Sequence, residues 1–136
     1  MLKRFSISIE EELLSIFDEY IQEKQYNNRS EAIRDLIRKS FIKKEWEAGK
    51  QVMGVINMVY DHHRHQIQEK VTEIQHDYHH LIISTTHVHM DHDNCLEVII
   101  VKGLAETVQE LADQLLALKG VRDGHLAMTS TGKALY

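Results

Sequence analysis

"HLIISTTHVHMDHDNCLEVIIVKG" occupies residues 80–103. Two runs rich in β-branched residues flank a polar turn, Asp91–Asn94, which is the signature of an antiparallel hairpin. The expected strands are "HLIISTTHVHM" (80–90) and "NCLEVIIVKG" (94–103). Upstream, "HHRHQIQEKVTEIQHD" (62–77) places Ile67, Val71 and Ile74 on one stripe and predicts a helix. Before it, "VMGVINMVYD" (52–61) is strand-like. Downstream, "LAETVQELADQLLAL" predicts a helix with Val108, Leu111 and Leu115 inward, and "GVRDGHLAMTS" a final strand. The order βαββαβ points to a ferredoxin-like domain over residues 52–136. Its helices cover one face of the sheet, and the other face needs a partner, so an oligomer is expected.

The N-terminal region reads differently. In "KRFSISI" Phe5, Ile7 and Ile9 alternate with Arg4, Ser6 and Ser8. "SIEEELLSIFDEYIQEK" and "QYNNRSEAIRDLIRKSFIKKEW" follow as helices. Asn28 is an N-cap candidate with Glu31 at capping-box spacing. A lone strand needs a partner, and a unit this small buries little surface. The expected solution is a ribbon–helix–helix dimer over residues 1–48, which makes the chain α+β overall. Its ribbon would present Arg4, Ser6 and Ser8 to the major groove of double-stranded DNA. The amides near Asn28 and Arg29 would hold a phosphate. Gly49 is expected to end the second helix.

The chain has 136 residues, no proline and a net charge of -5. The charge is unevenly distributed: residues 1–50 are balanced and all ten histidines lie beyond them. There is no signal-peptide pattern and no apolar run of membrane-spanning length, so a cytoplasmic protein is expected. The single cysteine, Cys95, has no internal disulfide partner.

His87 and His89 lie two apart on one strand and share a face. The short turn would bring Cys95 opposite His89, so these three residues are candidate metal ligands. His76 is the candidate fourth, supplied from a neighbouring subunit. One thiolate with several imidazoles suits Zn, Cu, Ni or Co. Glu97 shares the face of Cys95 and could orient a ligating ring; Tyr60 and His62 are further candidates for such support. His63, His79, His80, His92 and His125 have no assigned role. Rival readings are a metal storage or chaperone protein and a metal-dependent enzyme. Against the enzyme, four ligands close the site, and the sequence has no HExxH, glycine-rich phosphate loop or nucleophile elbow.

With "YNNRSEAIRDLIR", "HVHMDHDNCLE" and "KGVRDGHL", the chain resembles the NikR family of nickel-responsive transcriptional regulators over essentially its full length. The resemblance implies a homotetramer with ribbon–helix–helix dimers at its ends and ACT-like metal-binding domains at its centre. It implies square-planar Ni(II) held by His87, His89 and Cys95 of one subunit and His76 of another. Arg4, Ser6 and Ser8 match the family's groove-entering residues, with serine where relatives commonly carry threonine at the last two. Arg64 and His65 match a stretch that contacts the DNA backbone. Glu31 and Asp35 resemble a second cation site, for K+. The implied activity is nickel-dependent binding of operator DNA that represses nickel uptake genes, with no membrane association and no small-molecule substrate.

Overall fold

Along β1 (Gln51–Asp61) fully buried and half-buried residues alternate without a break. Val52, Ile56, Met58 and Tyr60 point into the core. Gly54 shares their face, its position too close to Leu126, Trp46 and Val101 for a larger residue to enter freely. The computed structural model describes residues 1–64 and 66–136. Two compact units divide at Lys39/Ser40.

In the second unit, β1 is followed by α3 (Ile67–Asp77), β2 (Ile82–His89), β3 (Asn94–Leu104), α4 (Ala105–Leu116) and β4 (Val121–Thr129). The four strands form one sheet in the order β2-β3-β1-β4, with every neighbouring pair antiparallel. This is the ferredoxin-like βαββαβ arrangement expected from the sequence. Strands β1 and β3 are central and long because both are rich in valine and isoleucine, which suit a pleated and largely buried surface. Helix α4 inserts Val108, Leu111, Ala112 and Leu115, and α3 inserts Ile67 and Val71. These side chains meet Ile56, Ile99 and Val101 in one core. On the opposite face Val55, Val59, Leu96, Val98 and Ile100 are only half-buried.

The β2–β3 turn is built around one carboxylate. Asp91 Oδ1 accepts from the Asp93 amide at 2.9 Å, the Asn94 amide at 2.8 Å and the Asn94 side-chain amide at 3.2 Å. These bonds, the Asn94 amide foremost, hold the Asp91 carboxyl below its ordinary range. They fix the register that pairs His89 with Cys95 and His87 with Glu97.

One boundary differs from the sequence expectation. Helix α3 begins at Ile67 and not at His62. The His62 amide donates to the Asp93 carbonyl at 3.1 Å and the Arg64 amide to the Asp61 carbonyl at 3.1 Å. Gln66 has a left-handed φ of 71°. A turn tied to the neighbouring loop thus takes the residues that periodicity had assigned to the helix.

The first unit contains α1 (Glu11–Glu23) and the first part of α2 (Arg29–Glu47). Asn28 Oδ1 accepts the Glu31 amide at 2.9 Å, as an N-cap should. The strand expected over residues 3–9 joins no sheet among the described residues, and a lone strand has unpaired edges on both sides. Phe5 and Ile7 are 71% and 60% exposed. With Leu13, Ile16 and Leu36, Ile7 borders an apolar groove of about 450 Å³. At its C-terminus α2 ends on Gly49, whose φ of 67° is left-handed, and the Lys50 amide donates to the Glu45 carbonyl at 3.0 Å. The Trp46 indole N–H donates to the Thr129 carbonyl at 3.0 Å, seating the last turn of α2 on β4.

Candidate metal centre

Three segments converge at one end of the sheet. Cys95 opens β3, His89 closes β2, and His62 follows β1 in the turn pinned to Asp93. Cys95 is fully buried. Its Sγ lies 3.3 Å from His89 Nδ1 and 3.2 Å from His62 Nδ1. The candidate ligand atoms of all three residues lie within 4.8 Å of one another. Burial raises the thiol's pKa, and the negative charges of Glu97, Asp91 and Asp61 raise it further. A bound cation would reverse that balance, since the thiolate is the form that ligates. One thiol touching two imidazoles is the donor set of a borderline or soft divalent metal, so the residues present fit such an ion.

His87 lies beside this group, its ring 5.0 Å from that of His89. Its Nδ1 is 3.4 Å from the Tyr60 hydroxyl and 4.0 Å from Glu97 Oε1. Glu97, buried, accepts instead from Tyr60, Oη to Oε2, at 3.3 Å. Burial, with the nearby Glu97 charge, raises the Tyr60 pKa well above the ordinary phenol value, so Tyr60 stays a donor. Glu97 thus takes a hydrogen bond from Tyr60 on one oxygen and has His87 at ion-pair distance from the other. His76 is exposed in the last turn of α3, with its ring 5.9 Å from that of His79. Among the described residues it joins no cluster of three metal donors within this chain.

Sequence reasoning cast His62 as support, and the structure sets it as close to the sulfur as His89. The only sequence signal for this was proximity to a histidine-rich turn. Asp93, which carries the bond to His62, had no signal of its own.

Most of the residues expected to meet DNA lie in the first unit. Arg4, Ser6 and Ser8 are exposed. Arg29 makes a two-point pair with Asp18, Nε to Oδ1 at 2.9 Å and Nη2 to Oδ2 at 2.8 Å. Arg64, in the second unit, is exposed; His65 lies outside the described residues. Of the carboxylates assigned to a second cation, Glu31 is bonded to Arg34, while Asp35 accepts from Tyr26 and pairs with Lys39 at 3.1 Å.

Comparison with known proteins places both units. The family described as "NikR C terminal nickel binding domain" matches residues 53–129, and "Ribbon-helix-helix protein, copG family" matches residues 3–41. A protein of Desulfotalea psychrophila named "Putative nickel-responsive regulator" is 71% identical over the full length of both chains. Proteins of the same name from Thermococcus kodakarensis and Pyrococcus abyssi are 56% and 55% identical, over 97% and 98% of this chain and 96% and 98% of their own. An uncharacterized protein of Thermotoga maritima, 16% identical, shares the fold with a TM-score of 0.52 over 57% of this chain and 96% of its own. With an N-terminal ribbon–helix–helix domain and a C-terminal nickel-binding domain, the chain belongs to the NikR family of nickel-responsive regulators.

Proposed function

We propose that this protein is a DNA-binding repressor of nickel uptake genes whose operator affinity is set by Ni(II), and not an enzyme. The observation that carries the reading is the contact of the buried Cys95 sulfur with two imidazoles, in a chain whose other end is a ribbon–helix–helix domain. Cys95, His89 and His87 are the ligands from one chain, and His76 comes from a second copy. Glu97, Tyr60 and His62 orient them. A divalent cation there favours the thiolate, and binding of Ni(II) is linked to DNA affinity through the state it prefers.

The assembly follows from exposed apolar surface. Two copies pair their Lys3–Ile9 segments as a ribbon, covering Phe5 and Ile7 and turning Arg4, Ser6 and Ser8 toward base edges. The half-buried sheet face then joins two such dimers into a tetramer. Asn28 and Arg29 at the start of α2 hold the DNA backbone, with Arg64 and His65 as further contacts. K+ at Glu31 and Asp35 has less support, because Arg34, Tyr26 and Lys39 already engage these carboxylates. No described helix is long and apolar enough to cross a membrane, and operator DNA places the protein in the cytoplasm.

The test is a gel shift on the DNA upstream of the nickel uptake genes and of the protein's own gene. It compares metal-free protein with protein loaded with Ni(II), Zn(II) or Cu(II). Retardation that strengthens with Ni(II) supports the reading. Equal retardation in every state would leave a metal-storage role as the better account.

A further inference from the structure

The stretch "GVRDG" (120–124) spans the start of β4, and the backbone there decides where its arginine points. Val59 pairs with Asp123 and Tyr60 with Val121, so Arg122 is the extra residue of a β-bulge. In a regular ladder it would stand opposite Tyr60 and share that residue's inward face. The bulge turns it instead across the end of the sheet, where it is half exposed. Its guanidinium donates from Nη1 to Asn94 Oδ1 at 2.7 Å and from Nη2 to Asp61 Oδ2 at 3.3 Å. Asp61 closes β1, Asn94 opens β3, and the two are register partners. The next residue on each segment belongs to the metal centre. His62 follows Asp61 and Cys95 follows Asn94, with Nδ1 and Sγ 3.2 Å apart.

An exposed ion pair contributes little by itself. This one differs in what it joins. The other Asp61 oxygen, Oδ1, accepts the His63 amide at 2.9 Å, which holds the turn that carries His62. Asn94 Nδ2 donates to both oxygens of Asp91 at 3.2 Å, the carboxylate around which the β2–β3 turn is built. The Asp61 side chain is only 17% exposed, so leaving it unpartnered costs more than losing a charge at the rim. We propose that Arg122 is a positioning residue of the metal centre: one guanidinium, gripping Asp61 and Asn94 at once, sets His62 against Cys95. This rests on the reading of that centre as a Ni(II) site. The planar fork presents two nitrogens to two acceptors, whereas a lysine ammonium offers one nitrogen and does not reproduce that geometry. Strand pairing and the Asp91 bonds hold His89 against Cys95 without Arg122, so its loss falls on His62.

The experiment compares wild type, Arg122→Met, Arg122→Lys, His62→Ala and the double variant of Arg122→Met with His62→Ala, all as full chains. In metal-free protein, hydrogen exchange at the His62 and His63 amides should quicken by about tenfold or more in both Arg122 variants. The amides of Ile56 and Ile99 in the central strands should be unchanged, which separates a loosened turn from a loosened domain. Ni(II) affinity, by chelator competition, should fall about tenfold in Arg122→Met and recover only in part in Arg122→Lys. The double variant should bind within about twofold of the weaker single one, because Arg122 acts through His62. A loss of about a hundredfold, the product of the two single losses, would overturn the proposal. So would full affinity in Arg122→Lys, or unchanged exchange at His62 in both Arg122 variants. If Arg122→Met fails to fold, Arg122→Lys alone decides through exchange and competition. Absence of a thiolate-to-Ni(II) absorption band in the wild type would overturn the underlying reading and the proposal with it, and is seen before any variant is compared.

Discussion

The Cys95 sulfur is as close to His62, which follows the first strand of its domain, as to His89, its cross-strand partner: 3.2 Å against 3.3 Å. The thiol therefore gathers two separate segments of chain. If His62 supports the centre, His62→Ala should weaken Ni(II) binding by about tenfold or more, measured by chelator competition. Cys95→Ser should abolish the thiolate band altogether. An unchanged affinity in His62→Ala would make this imidazole a bystander.

Tyr60 donates to a buried carboxylate. Tyr60→Phe leaves Glu97 short of a donor, which should cost about 1–3 kcal/mol. Chemical denaturation of the metal-free protein measures this. Glu97→Gln in the same background should recover part of the loss, because the neutral amide is cheaper to bury.

Arg29 lowers the Asp18 carboxyl pKa, by hydrogen bonding first and by charge in addition. The folded value lies below the unfolded one, about 3.9 for aspartate. The contribution of the pair is thus complete above that value and is lost as pH falls through the folded value. Wild type should melt above Asp18→Asn at about pH 7, and the two should converge near pH 2, followed by helical circular dichroism. A gap that persists at the acidic end would show that the pair is not its source.

Gly124 sits in β4 where a Cβ would come within 2.5 Å of Leu116 Cδ2 and 2.6 Å of the Asn57 carbonyl oxygen. Backbone cannot yield as a side chain can. Gly124→Ala should therefore destabilise by about 1–3 kcal/mol, read as a lower denaturation midpoint.

Charge on the apolar side of the N-terminal segment tests the ribbon. Ile7→Asp should prevent pairing of two copies and abolish DNA retardation while leaving the Ni(II) absorption band in place. Light scattering would register the smaller assembly. Retained DNA binding would mean that Ile7 is not at the interface between copies.

The second domain was legible because its strands and helices differ in period, and because a short polar turn leaves few ways to pair His89 with Cys95. The capped start of α2 was legible from Asn28 and Glu31 at their spacing. What could not be read was set by contacts distant in sequence. His62 reaches Cys95 only because a hydrogen bond to Asp93 and a left-handed Gln66 hold it out of α3. Glu97 looked like a partner for a histidine, and only the packing shows that it also accepts from the Tyr60 phenol. The N-terminal alternation has a meaning that one chain by itself does not display.

The bonds radiating from Asp91 make the β2–β3 turn a ruler. Side chains alternate between the faces of a sheet, so a slip of one residue would leave Cys95 on the inner face and turn His87 and His89 outward. Every ligand would still be encoded, in unchanged order, and the centre would not exist. The chemistry of this site is thus specified partly by a length. Substitutions in residues 90–93 that keep the Asp91 carboxylate should be tolerated, whereas adding or removing a single residue there should erase metal binding in an otherwise folded protein.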